Sequence, residues 1–246
     1  MQTNIVAYYR KHDSFSRYLA ANQPRVRELS RLYASNKRYF GNQVLDLACG
    51  GGVLGFIVER AGHAYTGVDV NPDMISAARS YSRKVGSRNR FIIADITRIK
   101  IRGNFDTLCV LGNAMCHFST AGFSGILDRT ATNCRKGAHF IVDYRDMVRL
   151  MFDKQWNTGK RLLERDKGRI STTNGCDTET GFVHVTTADL HGENRVRFDH
   201  AIWSPFIITP IMSQHRWALV KRRSSKRWTG WLDVYRKTSP LRTGVD

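Results

Sequence analysis

A short glycine-rich turn at residues 50–52 constrains this chain more than any other stretch of its sequence. Val44 to Leu47 are predicted to end a strand, three consecutive glycines follow, and Val53 to Arg60 are predicted to form a helix. Glycine adopts positive φ angles at little cost and lets a ligand approach the backbone closely. A strand that meets a helix N-terminus through such a turn is typical of nucleotide-binding corners in parallel α/β sheets.

Asp46 indicates which kind of nucleotide this corner binds. The carboxylate lies within the strand, just before the glycines. A pyrophosphate at this turn would meet a second anion at close range, whereas a cationic ligand would be attracted. S-adenosylmethionine (SAM) has no phosphate and carries an ammonium and a sulfonium. We therefore expect a SAM site rather than an NAD site, with a hydrogen-bonded turn carboxylate as the alternative.

Two further carboxylates follow predicted strands. Asp69 ends a second strand about 20 residues after the glycines, where a carboxylate accepts hydrogen bonds from ribose hydroxyls. Asp95 lies near the end of a third strand, where a carboxylate can accept from the adenine amino group and Ile96 can donate its backbone N–H. The alternative for Asp95 is a helix N-cap.

These segments also carry a family resemblance. Asp46-x-Ala48-Cys49-Gly50-x-Gly52 resembles motif I of the class I SAM-dependent methyltransferases, and Gly67-x-Asp69 with Met74 resembles the segment that follows it. The family commonly has Thr where Gly51 stands. The resemblance spans about residues 40–145. It implies a cofactor site formed by Asp46, Ala48, Cys49, Gly50, Gly52, Asp69, Val70, Met74, Asp95, Ile96 and Leu111. Either Arg25 or Arg27 is expected to hold the SAM carboxylate, as an arginine of this segment does in the glycine N-methyltransferase family, and the spacing favours Arg25.

A narrower resemblance concerns the acceptor. Leu111 to His117 resembles the Leu-Gly-Asn-Ser-x-x-His segment of the glycine N-methyltransferase family, with Ala114 in place of Ser. Val142 to Arg145 resembles the Asp-x-Arg of that family. In the family the Asn and Arg hold an amino-acid substrate, which implies such a role for Asn113 and Arg145. The alternative is that Arg145 pairs with a neighbouring carboxylate.

The outline also looks like uncharacterised archaeal and bacterial SAM methyltransferases without a fixed acceptor. Methyl transfer is an in-line displacement that positioning alone can largely catalyse, with about 3–3.5 Å between nucleophile and methyl. Our catalytic candidates are Asn113, His117 and Tyr144, with a core role as the alternative for His117. Our substrate-binding candidates are Asn113, Arg145, Tyr8 and Tyr9. No metal-ligand cluster is evident.

The remaining pattern predicts an α/β fold. We expect a doubly wound, seven-stranded Rossmann-like methyltransferase sheet with helices on both faces, and a small antiparallel β insertion after strand five. The expected parts are an N-terminal helical cap (1–40), a SAM-binding core (41–156), the insertion (157–204), and a C-terminal helix with the last strands (205–246).

The amino-acid composition bears on disulfides, membrane spans and cellular location. Five cysteines without paired spacing favour reduced thiols, and no apolar run approaches the ~18 residues of a membrane span. The first residues have no signal-peptide core, so we expect a cytoplasmic protein. The oligomeric state stays open.

The net charge of +18 favours a polyanionic partner. Lys221, Arg222 and Arg223, with Lys226 and Arg227, form the densest basic cluster, and Trp228 and Trp231 follow it. Such a cluster either binds nucleic acid or forms a solvated loop. We expect a SAM-dependent methyltransferase acting on a small molecule, at an amine nitrogen. The alternatives are an RNA or protein methyltransferase that uses the basic surface, and a non-catalytic SAM-binding module.

Overall fold

The protein is described here from a computed structural model, which covers residues 19, 22–152, 161–164, 169–225 and 229–238. Tyr8 and Tyr9, predicted to bind substrate, lie outside the described residues. The same is true of Lys226, Arg227 and Trp228 at the basic cluster, and of residues 1–18, 20 and 21 in the predicted N-terminal helical cap.

A seven-stranded sheet forms the centre of the fold, in the order β10–β11–β5–β4–β1–β2–β3. Strands β1 to β5 are parallel, β11 is antiparallel to β5, and β10 is antiparallel to β11. The order reverses between β1 and β4, which is where doubly wound sheets bind ligands. The predicted seven-stranded, Rossmann-like sheet is confirmed. Its strands are β1 (Gln43–Leu47), β2 (Ala64–Asp69), β3 (Arg90–Ile93), β4 (Phe105–Val110), β5 (Cys134–Arg145), β10 (Trp217–Ser225) and β11 (Gly230–Lys237).

Helices cover both faces of the sheet, as expected. Helices α1 (Gln23–Asn36), α2 (Val53–Arg60) and α3 (Pro72–Val85) cover one face. Helices α4 (Thr120–Ala131) and α6 (Pro205–Gln214) cover the other, and a short α5 (Met147–Phe152) follows β5. Burial of apolar side chains on both faces explains the short continuous apolar runs in the central strands, such as residues 108–110 of β4 and 140–142 of β5.

Local chemistry determines where two of the helices begin. The side chain of Asn22 accepts a hydrogen bond from the backbone N–H of Arg25, and that of Asn71 accepts from the N–H groups of Asp73 and Met74. A proline follows in the first turn of each helix, where its missing N–H costs nothing.

A second, antiparallel sheet lies in the chain between α5 and α6, as predicted. Its strands, in the order β6–β7–β8–β9, are β6 (Arg161–Glu164), β7 (Arg169–Asp177), β8 (Phe182–Asp189) and β9 (Val196–Ala201). The sequence did not predict β6. The following helix, α6, begins at Pro205, because proline suits the first helical turn.

The described part of the basic cluster lies in a strand and not in a loop, which corrects the prediction for these residues. Strand β10 continues to Ser225, so Lys221 to Arg223 pair with β11. Within the part of the chain that is described, no helix is long and apolar enough to cross a membrane. All five cysteines are free thiols.

Candidate functional site

A cavity opens at the carboxyl ends of β1, β2 and β4, beneath α1. Ten of the twelve predicted cofactor residues line it: Arg25, Asp46, Ala48, Cys49, Gly50, Asp69, Val70, Met74, Ile96 and Leu111. Other wall residues were not predicted: Leu29, Val53, Leu54, Asn71, Ala94, Gly112, Ala114 and Phe118. Most of these are apolar neighbours of the motif residues, which sequence patterns do not separate from ordinary core.

Gly52 does not line this cavity, which corrects its predicted contact with the cofactor. Its φ is +71°, and it caps the N-terminus of α2. A Cβ at this position would overlap the ring of Phe91. Gly52 is therefore required for the turn and for packing against β3, whereas Gly50, with φ of +55°, lies on the cavity wall.

One carboxylate oxygen of Asp46 is available to accept a hydrogen bond from a ligand. It is buried, and its Oδ2 accepts a 2.7 Å hydrogen bond from the Tyr65 hydroxyl. Its Oδ1 has no partner among the described residues. Burial raises the pKa of Asp46 from 3.8 to about 7. A buried carboxylate oxygen on a cavity wall suits a cationic group such as the ammonium of SAM.

Asp69 links the glycine turn to the end of β2. It accepts hydrogen bonds from the backbone N–H of Gly50 at 2.7 Å and from that of Asn71 at 2.8 Å. Burial raises the pKa of this carboxyl as well. A carboxylate offers about four acceptor positions, so these bonds leave capacity for two ribose hydroxyls.

Asp95 differs from its prediction. Its Oδ1 accepts from the backbone N–H of Thr97 at 2.9 Å and from the Thr97 hydroxyl at 2.7 Å. The neighbours Ala94 and Ile96 form the wall instead. This oxygen therefore holds a turn at residues 96–98, and no helix begins at Asp95, so the helix N-cap considered from the sequence is not observed either.

Arg25 lies on the wall, whereas Arg27, also considered from the sequence, is exposed. The Nη1 of Arg25 is 2.9 Å from a carboxylate oxygen of Glu28. The positive charge of Arg25 also lowers the pKa of Asp46, although less than burial raises it. A cation and an anion thus share one end of the cavity, which suits a zwitterionic amino-acid group.

Asn113 and Arg145 meet beside the cavity. The backbone N–H of Asn113 donates to Asp143 at 2.6 Å, and its side-chain oxygen accepts from the backbone N–H of Arg145 at 2.9 Å. Neither residue lines the cavity, although Gly112 and Ala114 on either side of Asn113 do. Asn113 therefore ties the loop after β4 to the end of β5, a role that the sequence did not indicate.

The carboxylates near Arg145 are bonded to other groups. Asp143 accepts from Asn113, while Asp146 accepts from the Trp231 indole at 2.8 Å and from the backbone N–H of Arg149 at 3.1 Å. No ion pair of Arg145 is present among the described residues. The structural alternative, pairing of Arg145 with Asp143 or Asp146, is not observed there.

His117 lies on the cavity wall, at the end of a 3-10 helix over Ala114–His117. Burial lowers its pKa to about 4, so the imidazole is neutral at neutral pH. His200 of β9 lies 6.4 Å away between ring centroids. The Trp203 indole donates to the carbonyls of Met115 and Phe118, which fixes the 3-10 helix from the chain that follows the inserted sheet. No sequence motif marks His200 or Trp203.

Tyr144 is not in the site, which corrects its prediction as a catalytic residue. It is fully buried, and its hydroxyl donates to Asp233 at 2.8 Å. Arg222 pairs with the same buried carboxylate at 2.7 Å. Lys221 donates to the Asn36 side chain at 2.8 Å. Two of the three basic residues of β10 therefore serve internal contacts.

Sequence comparison matches residues 44–137 to a family model described as a methyltransferase domain. A ubiquinone biosynthesis O-methyltransferase of Shewanella pealeana is 35% identical over 71 residues, which are 28% of this chain and 30% of that protein. A ribosomal protein L11 methyltransferase of Thermus thermophilus is 33% identical over 33% of this chain and 32% of that protein. The matches thus span about a third of the length of these curated relatives.

Structural comparison covers almost the whole chain. A protein of Pyrococcus horikoshii has a TM-score of 0.68 at 20% identity, covering 94% of this chain and 99% of that one. A SAM-dependent methyltransferase of Clostridium acetobutylicum has a TM-score of 0.66 at 16% identity, covering 96% of each chain. A SAM-bound amino pentose methyltransferase of Micromonospora echinaspora has a TM-score of 0.59 at 15% identity, covering 97% and 98%. Residues 44–137 thus match a methyltransferase domain, and almost the whole chain has the same fold as these solved structures.

Proposed function

We propose that this protein transfers the methyl group of SAM to a small-molecule acceptor that carries an acidic group, with an amine nitrogen as the methylated atom. When bound, SAM supplies an electrophilic methyl group on a sulfonium. Asp46 and Arg25 bind the two charges of its amino-acid end, and Asp69 binds the ribose hydroxyls. Apolar side chains of the cavity wall then surround the adenine.

The proposal of an acidic acceptor rests on the guanidinium group of Arg145. Its guanidinium has no carboxylate partner among the described residues, while both nearby carboxylates are bonded elsewhere. A planar guanidinium binds a carboxylate through two parallel hydrogen bonds, so an acidic acceptor would suit it. Asn113 holds the backbone of Arg145 and thereby positions the residue beside the cavity.

Helix α1 covers the cavity with Arg25 and Leu29, and this cover supports a small acceptor. RNA as the acceptor has less support than the sequence suggested, because Lys221 and Arg222 are bonded within the fold. The five free thiols favour a reducing compartment, so the cytoplasm remains our proposal for localisation.

Nitrogen is favoured because His117 is a weak base with a pKa near 4. Such an imidazole removes a phenolic proton poorly, whereas a neutral amine already has a free lone pair and needs mainly positioning. A hydroxyl acceptor is the second candidate, supported by the sequence match to the ubiquinone biosynthesis O-methyltransferase.

The experiment is methyl-label transfer from SAM, screened across amino acids, amino sugars, phenolic acids and total RNA. Arg145→Lys keeps the charge and removes the planar fork, so the acceptor KM should rise about 10-fold or more, the effect of about 1.4 kcal/mol. SAM affinity and thermal stability should not change. The control is Arg223→Lys, an exposed arginine on β10.

Two results would contradict the proposal. An Arg145→Lys variant with a lower melting temperature and an unaltered acceptor KM would make Arg145 a structural residue. Label transfer to RNA alone would exclude a small acceptor.

A further inference from the structure

The positive charge of this protein is concentrated in one segment of the chain. Residues 79–102 contain eight Lys or Arg residues and one Asp, which gives this segment a net charge of +7 out of the +18 of the whole chain. The segment includes the end of α3, the edge strand β3 and the loop that follows it. Over a third of the net charge therefore lies on about a tenth of the sequence, at one edge of the large sheet.

Some of these cations have an explanation within the fold. The Arg79 guanidinium donates to the carbonyl of Phe91, and Arg83 and Lys84 lie in the last turn of α3, where the helix dipole stabilises positive charge. No such role applies to Arg88, Arg90 and Arg102. All three are exposed, and no ion pair of their side chains is present in the described part of the chain.

These three arginines line one groove. It lies at the amino ends of β1, β2 and β3, where Gln43, Ala64 and Arg90 begin the strands. Backbone from glycine turns and the side chains of Asn89 and Asn104 complete the wall. Glu59 is the carboxylate of this wall, and it is bonded to Ser87 and Asn89 and to the backbone N–H of Arg88.

We propose that this groove binds the sugar–phosphate backbone of a nucleic acid. Arginine is suited to phosphate because its fork of donors matches two phosphate oxygens. A groove that is concave and lined by cations and amides accommodates a strand, whereas a flat bilayer would contact exposed apolar side chains. The exposed apolar residues of this edge, Val85 and Ile93, are not on the groove wall.

Binding in this groove is independent of base sequence. The aromatic wall residues Tyr65 and Phe105 are buried. The half-buried ring of His63 is held by hydrogen bonds to the Tyr33 hydroxyl and the Gly41 carbonyl and packs against the Tyr33 ring, so it is not a free stacking platform for a base. Contacts to phosphates position a nucleic acid without reading its sequence. The groove lies at the opposite end of the strands from the cofactor cavity, which is about 17 Å away along β2 at 3.3 Å per residue. It therefore anchors the protein and leaves the methyl-transfer site open, whichever acceptor that site takes.

The test is fluorescence anisotropy with a labelled 20-nucleotide oligouridine, titrated at several salt concentrations. The variant is Arg88→Gln, Arg90→Gln and Arg102→Gln combined. A matched control removes three exposed cations at the other edge of the sheet, as Lys136→Gln, Arg223→Gln and Arg236→Gln. Melting temperature and calorimetric SAM binding confirm that both variants are folded.

The groove variant should lose about 10- to 100-fold in affinity at 0.1 M salt. The slope of log K against log salt should become shallower by about 2, because three phosphate contacts on a single strand release about 0.7 counterion each. The control should lose less than about threefold. Equal losses in the two variants would show a mere effect of net charge and overturn the proposal. Absence of oligonucleotide binding, or arginine-dependent binding only to phosphatidylglycerol vesicles, would overturn it as well.

Discussion

Asp46→Asn is expected to stabilise the protein in the absence of SAM, and to do so more at pH 8 than at pH 5. Folding raises the pKa of Asp46 from 3.8 to about 7, chiefly because the carboxyl is buried. The folded state therefore binds the proton more tightly than the unfolded chain. Stability from this group is present at low pH and is lost as the pH rises through about 7.

The size of the effect follows from the shift. One pKa unit corresponds to about 1.4 kcal/mol. Between pH 5 and the folded-state pKa of about 7, the carboxyl is ionised in the unfolded chain but still protonated in the folded protein, so Asp46 costs about 3 kcal/mol of stability over these two units and little more up to pH 8. Asparagine removes this cost. Its amide group adds a penalty of about 1–3 kcal/mol where it lacks an acceptor, but that penalty does not depend on pH. The advantage of Asp46→Asn should thus grow by about 3 kcal/mol between pH 5 and pH 8.

Chemical denaturation at both pH values measures this difference directly. In thermal melts it corresponds to about 6–12 °C for a chain of this size. Glu179→Gln, at an exposed turn, serves as the control for replacing a carboxylate by an amide. A gain that is the same at both pH values, or a loss at pH 8, would refute the burial argument.

The same carboxylate makes SAM binding depend on pH. If ionised Asp46 holds the ammonium, SAM affinity of the unaltered protein should fall about tenfold for each pH unit below 7, because proton binding then competes with SAM. Asp46→Asn should abolish this dependence and weaken binding at pH 8. Isothermal titration calorimetry measures the SAM affinity of both proteins at each pH. Undiminished SAM affinity of Asp46→Asn at pH 8 would contradict the binding role of Asp46, even if the variant is more stable.

Two further predictions concern other carboxylates. Asp69→Ala should weaken SAM binding by about 1–3 kcal/mol in calorimetry, the scale of a lost charged hydrogen bond, and unchanged affinity would exclude Asp69 from the cofactor site. Arg222→Leu should lower the free energy of unfolding by about 3 kcal/mol, because Asp233 is fully buried and would lose its cation. Arg222→Leu with Asp233→Leu should restore part of that loss in denaturation experiments, and a double variant that is less stable than Arg222→Leu alone would contradict this account.

Local features of the sequence were sufficient for the cofactor end of the molecule. The glycine turn, the strand that precedes it and the asparagine caps of α1 and α3 all depend on residues within a few positions of one another. Backbone conformation at such positions follows from φ preferences and from hydrogen bonds to nearby N–H groups. The family resemblance added Arg25, which local patterns did not distinguish strongly from Arg27.

The location of Tyr144 could not be predicted from local features of the sequence. It directly follows Asp143, whose side chain bonds to the loop after β4. Successive side chains of a strand point to opposite faces, so Tyr144 enters the core on the other side of the sheet. There it meets Asp233, which lies 89 positions further along the chain.

Arg222 and Arg145 carry the same charge but differ in what the fold brings to them. Arg222 meets the buried carboxylate of Asp233 on the neighbouring strand β11, while Arg145 has no such partner among the described residues. The sequence by itself determined that the chain builds a SAM corner, because that corner is made by neighbours in the chain. Tertiary structure alone decided which charged side chains remain available to ligands, because pairing depends on contacts between strands that are far apart in sequence.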